Sequence, residues 1–324
     1  GLLLARIAPQ CEYYIGTDFS ERALTHTRNM CQQIDTLGHV RLRKGFADDF
    51  SGFEANQFDT IILNSVIQYF PDINYLERVI VGALHVLKPG GFVFIGDVRL
   101  YDLLETFHTS VQLYKANDSL TVEQLKQQIQ RHQSQEKELL LSPDFFLSLA
   151  QQVDSIGHVQ VQPKYGQAVN ELTKFRYDVI MQVDDIVALQ SEIAWHDWHN
   201  LEPDLRAIER LLEGDVPFGL RHVPNRRLQS ERFAQAWLRE AKPTATVGDY
   251  RRSVGQQDEV ETSLSQLMQL AQNHGRQMEV SWLNTTKDGD FELVFSHSSQ
   301  PAQFTARSPE AERSSYANMP AQKN

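Results

Sequence analysis

The chain is built around the stretch Phe58-Asp-Thr-Ile-Ile-Leu-Asn-Ser-Val-Ile-Gln-Tyr-Phe-Pro71. Residues 60–63 are a short apolar run, which is typical of a strand buried on both faces of a parallel sheet. The polar pair Asn64-Ser65 ends the run, and polar and aromatic residues follow at 68–70. Because ligands of open α/β sheets bind beyond the carboxyl ends of the strands, these side chains are predicted to lie at a site.

Strand and helix patterns alternate on both sides of this stretch. Upstream, residues 12–18 and 39–44 are predicted strands, and Ser20 is a good N-cap for the helix between them. Downstream, the apolar residues between 73 and 87 recur at helical spacing, and residues 92–98 are a further predicted buried strand. This alternation predicts an α/β fold with a parallel sheet and right-handed crossovers.

Beyond Arg99 the pattern is less regular. Helices are predicted at 101–114 and 121–140, and the second is rich in Gln and charge, which indicates a cover rather than core. The remaining predicted elements are helices at 145–153, 205–212, 228–238 and 260–272, paired strands at 158–165 and 175–183, and a β-hairpin whose strands at 278–282 and 291–295 flank Asp288-Gly289. From Ser298 the chain is polar and rich in Pro and Ser, which predicts a linker.

The composition is that of a globular protein. The chain has 324 residues, 41% of them hydrophobic, and a net charge of −11, which disfavours a nucleic-acid-binding surface. No apolar run is long enough to span a bilayer, and the two cysteines do not make a disulfide framework. These features predict a soluble, cytoplasmic protein that binds neither nucleic acid nor membrane. We predict no metal, because the pair His196 and His199 is too isolated.

Acidic residues follow the two upstream strands. Asp18 ends the first strand, where a carboxylate can accept hydrogen bonds from both hydroxyls of a ribose. Asp48 and Asp49 follow the second strand, and either can accept from an adenine amino group. Simpler roles stay open: Asp18 as a helix cap, the acidic pair as a solvated turn, Asn64-Ser65 as turn formers and residues 68–69 as an ordinary helix start. The order of all these residues favours a nucleotide-like ligand.

Seven segments, taken in chain order, form a larger pattern. They are Gly1-Leu-Leu-Leu-Ala-Arg-Ile-Ala-Pro9, Gly16-Thr-Asp-Phe-Ser20, Ala47-Asp-Asp-Phe-Ser-Gly52, Asn64-Ser-Val-Ile-Gln-Tyr-Phe-Pro71, Pro89-Gly-Gly91, Gly96-Asp-Val-Arg99 and Asn170-Glu-Leu-Thr-Lys-Phe-Arg-Tyr-Asp178. Together they resemble the methyltransferase domains of nonribosomal peptide synthetases. Such domains are class I S-adenosylmethionine (SAM) enzymes that usually methylate nitrogen and are inserted into an adenylation domain. The similarity is strong over residues 1–183 and weaker beyond them.

The resemblance implies a class I SAM methyltransferase core with a Rossmann-like α/β sheet at residues 1–183. A C-terminal α+β subdomain is implied at 184–300, and a linker toward the adenylation domain at 301–324, where Tyr316-Ala-Asn-Met-Pro320 is similar to the point of re-entry. In the family, a first strand and a glycine-rich loop precede the first helix, and Gly1 matches the last glycine of that loop. We therefore predict a sheet lacking its first strand, which exposes the apolar edges of both neighbours.

The resemblance also implies a cofactor and partners. The cofactor is SAM, and the substrate is the α-amine of an aminoacyl group on the phosphopantetheine arm of a peptidyl carrier domain. The adenylation domain of the same polypeptide is the second implied partner. The residues that match the cofactor site are Gly1, Asp18, Phe19, Ala47, Asp48, Asp49, Asn64, Ser65, Gln68 and Tyr69.

The implied reaction needs a proton acceptor rather than a strong base. An α-amine has an ordinary pKa of about 7.7–8.0, so a useful fraction of it is already neutral near neutral pH. The candidate acceptors are Glu171, His108 and Asp97, and the simpler roles for them are a loop carboxylate, a packed histidine and a strand anchor. Tyr69 can contact the sulfonium or the adenine with its ring face, or pack in the core.

Two other functions remain open at this point. A carbon or oxygen methyltransferase of a related assembly line would have the same fold. Methylation of a carbon acid would require a general base that deprotonates the substrate. A non-catalytic fragment or interaction module would not bind SAM at all.

Overall fold

A computed structural model describes residues 1–166, 168–184, 192–201, 205–254, 263–297, 300–305 and 316–321. The helices in these ranges are α1 (Leu2–Ile7), α2 (Glu21–Gln32), α3 (Ile73–Val86), α4 (Leu104–Lys115), α5 (Val122–Ser134), α6 (Asp144–Gln152), α7 (Glu171–Phe175), α8 (Leu205–Leu212), α9 (Gln229–Glu240), α10 (Val247–Ser253) and α11 (Leu264–Asn273). The strands are β1 (Tyr14–Asp18), β2 (Val40–Lys44), β3 (Phe58–Asn64), β4 (Leu87–Arg99), β5 (Ile156–Pro163), β6 (Arg176–Val183), β7 (Ala194–Asp197), β8 (Phe218–Val223), β9 (Gln277–Ser281) and β10 (Phe291–Ser296). The alternation predicted up to residue 99 is confirmed.

Residues 1–44 form a small α/β unit with a core of its own. β1 and β2 pair in parallel, beginning with Tyr14 opposite Val40. Leu4, Ala8 and Leu37 form the buried centre of this unit, separate from the core of the rest of the chain. The unit therefore holds together through its own contacts and meets the main sheet only at its boundary.

The main sheet has the strand order β3-β4-β6-β5. β3 runs parallel to β4, whereas β6 runs antiparallel to both β4 and β5. The predicted pairing of β5 with β6 is thus confirmed. Leu76, Val79 and Ile80 of α3 are fully buried in the core that this sheet shares with α6.

A groove separates the two sheets. In the described part of the chain, β1 pairs only with β2 and β3 only with β4, so each has an unpaired edge. These edges border a groove of about 730 Å³, whose other lining side chains include Leu3, Ile7, Phe92 and Phe94. The prediction that β3 is buried on both faces is therefore wrong: its residues are half-buried or exposed, and Phe92 on the neighbouring strand is 38% exposed.

The predicted helix at 121–140 is too long. Its start is confirmed by a capping box between Thr121 and Gln124, but α5 ends at Ser134. The chain turns there because the Glu136 carboxylate accepts hydrogen bonds from two following backbone amides, at 2.9 and 3.0 Å. We call residues 136–142, which follow as a non-helical segment before α6, the wall segment.

Two later helices complete a helical layer with α4 and α5. Leu238 of α9 and Val247 of α10 are buried in one cluster with Leu113, Leu125 and Ile129. The helices predicted at 205–212 and 228–238 are confirmed as α8 and α9. The cover over the sheet is therefore made by residues far apart in sequence.

A second sheet has the strand order β7-β8-β10-β9. The hairpin predicted around Asp288-Gly289 is confirmed, since β9 and β10 pair antiparallel. β7 and β8 were not predicted, because short mixed sequences such as 194–197 carry no clear strand period. The helix predicted at 260–272 begins at Leu264 in the structure, and its residues 260–262 lie outside the described ranges.

The C-terminal residues are not a free linker where the structure describes them. Tyr316 is only 5% exposed, and its carbonyl accepts a 2.7 Å hydrogen bond from the Ser142 amide. Ala302 is buried as well. The polar composition from Ser298 onward concealed these single apolar anchors. Among the described helices, none has the length and apolar character that crossing a membrane requires.

A half-buried pair of carboxyls, Asp102 and Asp144, lies where α6 begins. Burial, and then the negative charge of Asp102, raise the pKa of Asp144 to about 6. Burial also raises the pKa of Asp102, one of whose carboxylate oxygens is buried with no hydrogen-bond partner among the described residues. Burial and the neighbouring Asp102 charge therefore disfavour the ionisation of Asp144.

We expect this pair to make stability depend on pH. An unfolded Asp titrates near about 3.9, so between about pH 4 and 6 the folded protein binds the Asp144 proton more tightly and loses stability as the pH rises. The lowered pKa of Glu136 acts on stability in the opposite direction, so the comparison with a variant isolates Asp144. The melting temperature of Asp144→Asn should rise relative to that of the wild type between about pH 4 and 6, and Asp144→Asn should melt higher at about pH 7.5. Melting curves of both and of the exposed-site control Asp35→Asn test this. A wild-type profile that Asp144→Asn leaves unchanged would contradict it.

Candidate active site

The carboxyl ends of the parallel strands meet at one edge. Asp18 lies opposite Lys44 at the ends of β1 and β2, and Asn64 lies opposite Gly96 at the ends of β3 and β4. The Tyr75 hydroxyl joins the two halves by donating to the Asp48 carboxylate at 2.9 Å. The predicted polar residues are therefore brought to one side of the molecule.

Asp97 is the centre of this edge. Its carboxylate accepts hydrogen bonds from the Ser65 hydroxyl and from the Asn64 amide, the latter at 3.2 Å. Both Ser65 and Asp97 have left-handed backbone conformations, with φ of 56° and 64°. Such conformations cost roughly 1–3 kcal/mol in residues other than glycine, so the contacts of these side chains hold the backbone there.

Lys164 fixes Asp97 from the other side. Its ammonium lies 2.6 Å from Asp97 and 2.6 Å from Asp178, and Asp178 also accepts from the Asp97 amide at 3.0 Å. Burial raises the pKa of Asp97, but hydrogen bonds from Lys164 and Ser65 outweigh it and hold the pKa below its usual range. Asp97 is consequently a weak base and serves as an anchor.

A second cluster contains His108. The His108 ring nitrogen Nε2 lies 3.2 Å from Glu136, and Arg99 contacts Glu136 at 3.1 Å and Glu138 at 3.0 Å. Burial would raise the pKa of Glu136, but hydrogen bonds from His108, the Glu138 amide and Arg99 lower it to about 2. Glu136 therefore stays ionised beside the imidazole.

The wall segment joins the two clusters. Its Leu139 amide donates to the Gln68 carbonyl at 2.8 Å, and its Leu141 amide donates to the Arg99 carbonyl at 3.0 Å. The side chains of Gln68 and Arg99 are 3% and 4% exposed, and Gln68 Oε1 and Arg99 Nη2 have no hydrogen-bond partner among the described residues. Buried polar atoms without partners are costly, which marks this region as one that can receive a polar ligand.

The other half of the edge suits an adenosine. The Asp18 carboxylate accepts from the Ser20 amide at 2.8 Å. The N-cap of α2 is Ser20, as predicted, so Asp18 does not take the capping role that the sequence left open. Its second carboxylate oxygen has no hydrogen-bond partner among the described residues, and Phe19 follows directly in the sequence. The Phe19 and Phe46 rings are stacked at 6.1 Å and are 67% and 66% exposed. Two exposed aromatic faces beside a carboxylate are suited to a base and its ribose.

The remaining predicted cofactor residues lie around this edge and differ in their exposure and in the contacts that they already make. Asp49 is engaged in a turn, accepting from Ser51 and from Arg43 at 2.9 Å, and the hydrogen bonds from Ser51 chiefly lower its pKa. Ala47 is half-buried, Gly1 is the N-cap of α1, and Tyr69 is 65% exposed. Tyr69 is thus available for contact with a ligand rather than packed in the core.

Glu171 lies at the start of α7 and is paired with Arg176. Its carboxylate accepts a 2.8 Å hydrogen bond from Arg176 and is 40% exposed. The Arg176 charge also acts on Asp97. Glu171 therefore borders the Asp97 cluster through Arg176 and is not part of the His108 cluster.

Sequence reasoning missed Lys164, Glu136 and Glu138 as functional residues. Lys164 looked like the end of a strand, and the two glutamates looked like the solvated face of a helix. The signal that was available was the break of the apolar stripe of α5 after Ile129. In the described residues no group of His, Cys, Asp and Glu side chains is arranged to hold a metal ion.

Comparison with known proteins identifies the family. The family model described as a methyltransferase domain matches residues 1–93. Chondramide synthase of Chondromyces crocatus is 40% identical over 338 residues, which cover 99% of this chain and 8% of that protein. This chain belongs to the SAM-dependent methyltransferases. A nonribosomal peptide synthetase of Aspergillus flavus, agiA, is 29% identical over 314 residues, covering 91% of the methyltransferase chain and 4% of the relative.

The methyltransferase chain spans less than a tenth of the length of these relatives. Among solved structures, a SAM-dependent methyltransferase of Methanosarcina mazei has a TM-score of 0.37 and 14% identity, and the match covers 56% of this chain and 85% of that one. The cofactor is SAM, and the donor set fits it: a carboxylate for the ribose, exposed aromatic faces for the adenine, and the unpartnered acceptor Gln68 Oε1.

The bridge that Lys164 makes between Asp97 and Asp178 should contribute to the free energy of unfolding. Lys164→Met leaves two carboxylates facing each other, so we expect a loss of about 3 kcal/mol in the free energy of unfolding. The matched control is Lys88→Met, whose partner Asp59 is 77% exposed, and it should lose only a small part of that. Urea unfolding of both variants measures the difference. Equal losses in the two variants would contradict the anchoring role.

Proposed function

We propose that the methyltransferase chain N-methylates the α-amine of an aminoacyl thioester carried on the phosphopantetheine arm of a carrier domain in nonribosomal peptide synthesis. The observation that supports this most is the His108–Glu136 pair, which lies beside Arg99, two residues beyond the Asp97 anchor. In this proposal His108 is the proton acceptor, and the wall segment links it to the edge through its hydrogen bonds to Gln68 and Arg99. The similarity to peptide synthetases over nearly the whole chain supports the substrate class.

The contact with Glu136 favours Nδ1 of His108 as the nitrogen that accepts the proton in this proposal. Glu136 is ionised, so Nε2 must carry the hydrogen that makes the 3.2 Å contact. In the neutral ring, Nδ1 then holds the lone pair. The carboxylate also stabilises the imidazolium that forms, in the way an orienting acid supports a general base.

The residues divide the work between binding and proton transfer. Asp18, Phe19 and Phe46 hold the adenosine, and the anchored Asn64, Ser65 and Asp97 shape the edge beside the reacting atoms. SAM, when bound, supplies a methyl group on a sulfonium. As the amine nitrogen gains the methyl group it loses a proton, which His108 accepts. Holding the reactants in line supplies a large part of the rate.

Carbon methylation is the second candidate, and the same histidine pair favours it. A carbon acid needs a general base that is supported and oriented, as His108 is by Glu136. The two reactions differ in how strongly they depend on that base. The neutral fraction of an amine is already nucleophilic, whereas a carbon acid becomes nucleophilic only after it has lost a proton. Oxygen methylation has no observation of its own in its favour.

His108→Ala should separate the two reactions. For an amine, we expect a loss of less than about 100-fold at pH 7, partly recovered at pH 9 where the amine is neutral. For a carbon acid, the loss should reach about 1,000-fold or more and persist at pH 9. The measurement is mass spectrometry of the product formed from SAM and an aminoacyl or β-ketoacyl pantetheine thioester. His132→Ala, which alters a ring stacked 6.3 Å away, is the control.

We also propose that residues 1–183 are the methyltransferase core, 184–300 its C-terminal subdomain and 301–324 the connection toward an adenylation domain, with a further strand completing the core. Such a strand would lie in the groove between β1 and β3. The Tyr13 hydroxyl donates to the Gln57 carbonyl at 2.6 Å, so the two flanking strands start at the same end. A right-handed crossover through α1 to β1 would bring the strand that leads into Gly1 to this place.

Hydrogen exchange tests the added strand. The polypeptide is compared with versions carrying about ten residues ahead of Gly1, either gene-encoded residues or a Gly/Ser stretch. Only the gene-encoded residues should slow exchange of both β1 and β3, by about ten-fold or more, because paired amides exchange only on opening. Phe92→Glu in the groove should prevent this, and Tyr114→Glu, at a side chain 88% exposed on α4, should not. Unchanged exchange in both strands would contradict the proposal.

A further inference from the structure

The wall segment is hydrogen-bonded along two edges. Its odd-numbered residues Leu139 and Leu141 donate toward the site, to Gln68 and Arg99. On the opposite side, hydrogen bonds are made by backbone groups of even-numbered residues, namely the Leu140 and Ser142 amides and the Glu136 and Glu138 carbonyls. This alternation is that of an extended chain held between two neighbours. The position of the Glu136 carboxylate depends on both neighbours.

The neighbour on the outer side is the C-terminal part of the chain. We call residues 316–321 the strap. The Ser142 amide donates to the Tyr316 carbonyl at 2.7 Å, and the Ala321 amide donates to the Glu136 carbonyl at 2.7 Å. The strap therefore spans the wall segment from its last residue to its first.

One side chain of the strap makes two hydrogen bonds to the wall segment. Asn318 Oδ1 accepts from the Leu140 amide at 2.7 Å, and Asn318 Nδ2 donates to the Glu138 carbonyl at 2.9 Å. The orientation of the amide group follows from its partners, since a backbone amide only donates and a carbonyl only accepts. A single planar group thereby fixes the backbone between the two glutamates and the site.

We propose that Asn318 is a positioning residue for the Glu136–His108 pair. This rests on the proposed function, which makes that pair the proton acceptor. The Glu136 carbonyl accepts a hydrogen bond from the Ala321 amide. The Glu138 carbonyl accepts one from Asn318, and the Glu138 carboxylate contacts Arg99, as the Glu136 carboxylate does. The strap itself is anchored by the buried ring of Tyr316.

Removing the Asn318 amide should loosen the wall segment without opening a cavity in the hydrophobic core. The Glu138 carbonyl and the Leu140 amide would lose their partners, and the carboxylates that orient Arg99 and His108 would sample other positions. A displacement of about 1 Å at a reacting group can lower a rate about 100-fold, so an effect on kcat is expected from a residue that touches no substrate. The SAM edge, which the strap does not contact in the described residues, should be unaffected.

The test compares Asn318→Ala and Asn318→Asp with Met319→Ala. Met319 is the next residue of the strap and its side chain is 93% exposed. Asp keeps the volume of Asn and the acceptor for Leu140, but it presents a carboxylate to the Glu138 carbonyl. We expect both Asn318 variants to lower kcat about ten-fold with SAM affinity and melting cooperativity retained, and Met319→Ala to match the wild type. A role in filling space alone predicts that Asp behaves as Asn.

A readout without turnover separates this inference from the proposed function. The imidazole signals of His108 are recorded by NMR in the wild type, in Asn318→Ala, in Met319→Ala and in Glu136→Gln. Displacement of the signals by Asn318→Ala in the same direction as by Glu136→Gln supports the positioning role, even if the wild type transfers no methyl group and the proposed function fails. The positioning role would be overturned if the His108 signals of Asn318→Ala coincided with those of the wild type and its kcat lay within two-fold of the wild-type value.

Discussion

The ammonium of Lys164, held between Asp97 and Asp178, is the interaction on which the geometry of the site depends. It ties the chain just beyond β5 to the ends of β4 and β6, and the Ser65 hydroxyl extends the network to the end of β3. Two residues with left-handed backbone, Ser65 and Asp97, are kept in that conformation inside the network. The strain and the ion pairs are therefore parts of one structure, and neither persists without the other.

This network explains why the anchor and the proton acceptor are different residues. The pKa of Asp97 is held low by its hydrogen bonds, so its carboxylate is too stable to take a proton at neutral pH. The pKa of Glu136 is also held low, by hydrogen bonds from His108 and the wall-segment backbone and by Arg99. The ionised Glu136 lies beside the imidazole of His108, which is the group that we propose as the proton acceptor.

The sequence predicts well those parts of the fold that depend on local patterns. The strands ending at Asp18 and Asn64 and the helix α3 follow from period, caps and glycine or proline ends. The same order of residues predicts that Asp18, Asn64 and Asp97 lie at one edge, because parallel strands end together. The role of His108 stayed open, since its partner Glu136 is 28 residues away and beyond the end of a helix.

What the sequence could not predict are contacts that join distant residues through a single side chain. Lys164 reaches two carboxylates from different strands, and Asn318 lies 178 and 180 positions from its partners. No local period marks such residues, because one polar side chain in a loop leaves no repeating pattern. The half-exposure of β3 has the same origin: strand burial depends on which strand lies beside it.

The most direct test of the account is calorimetric titration of SAM into the protein completed by the strand that we propose ahead of Gly1, as the wild type and as Asp18→Ala. The account places the ribose on the Asp18 carboxylate, and hydrogen bonds to a charged group contribute about 1.5–3 kcal/mol. It therefore predicts measurable binding by the wild type and an affinity about 10- to 100-fold lower for Asp18→Ala. No binding by the wild type, or equal affinities of the two proteins, would contradict it.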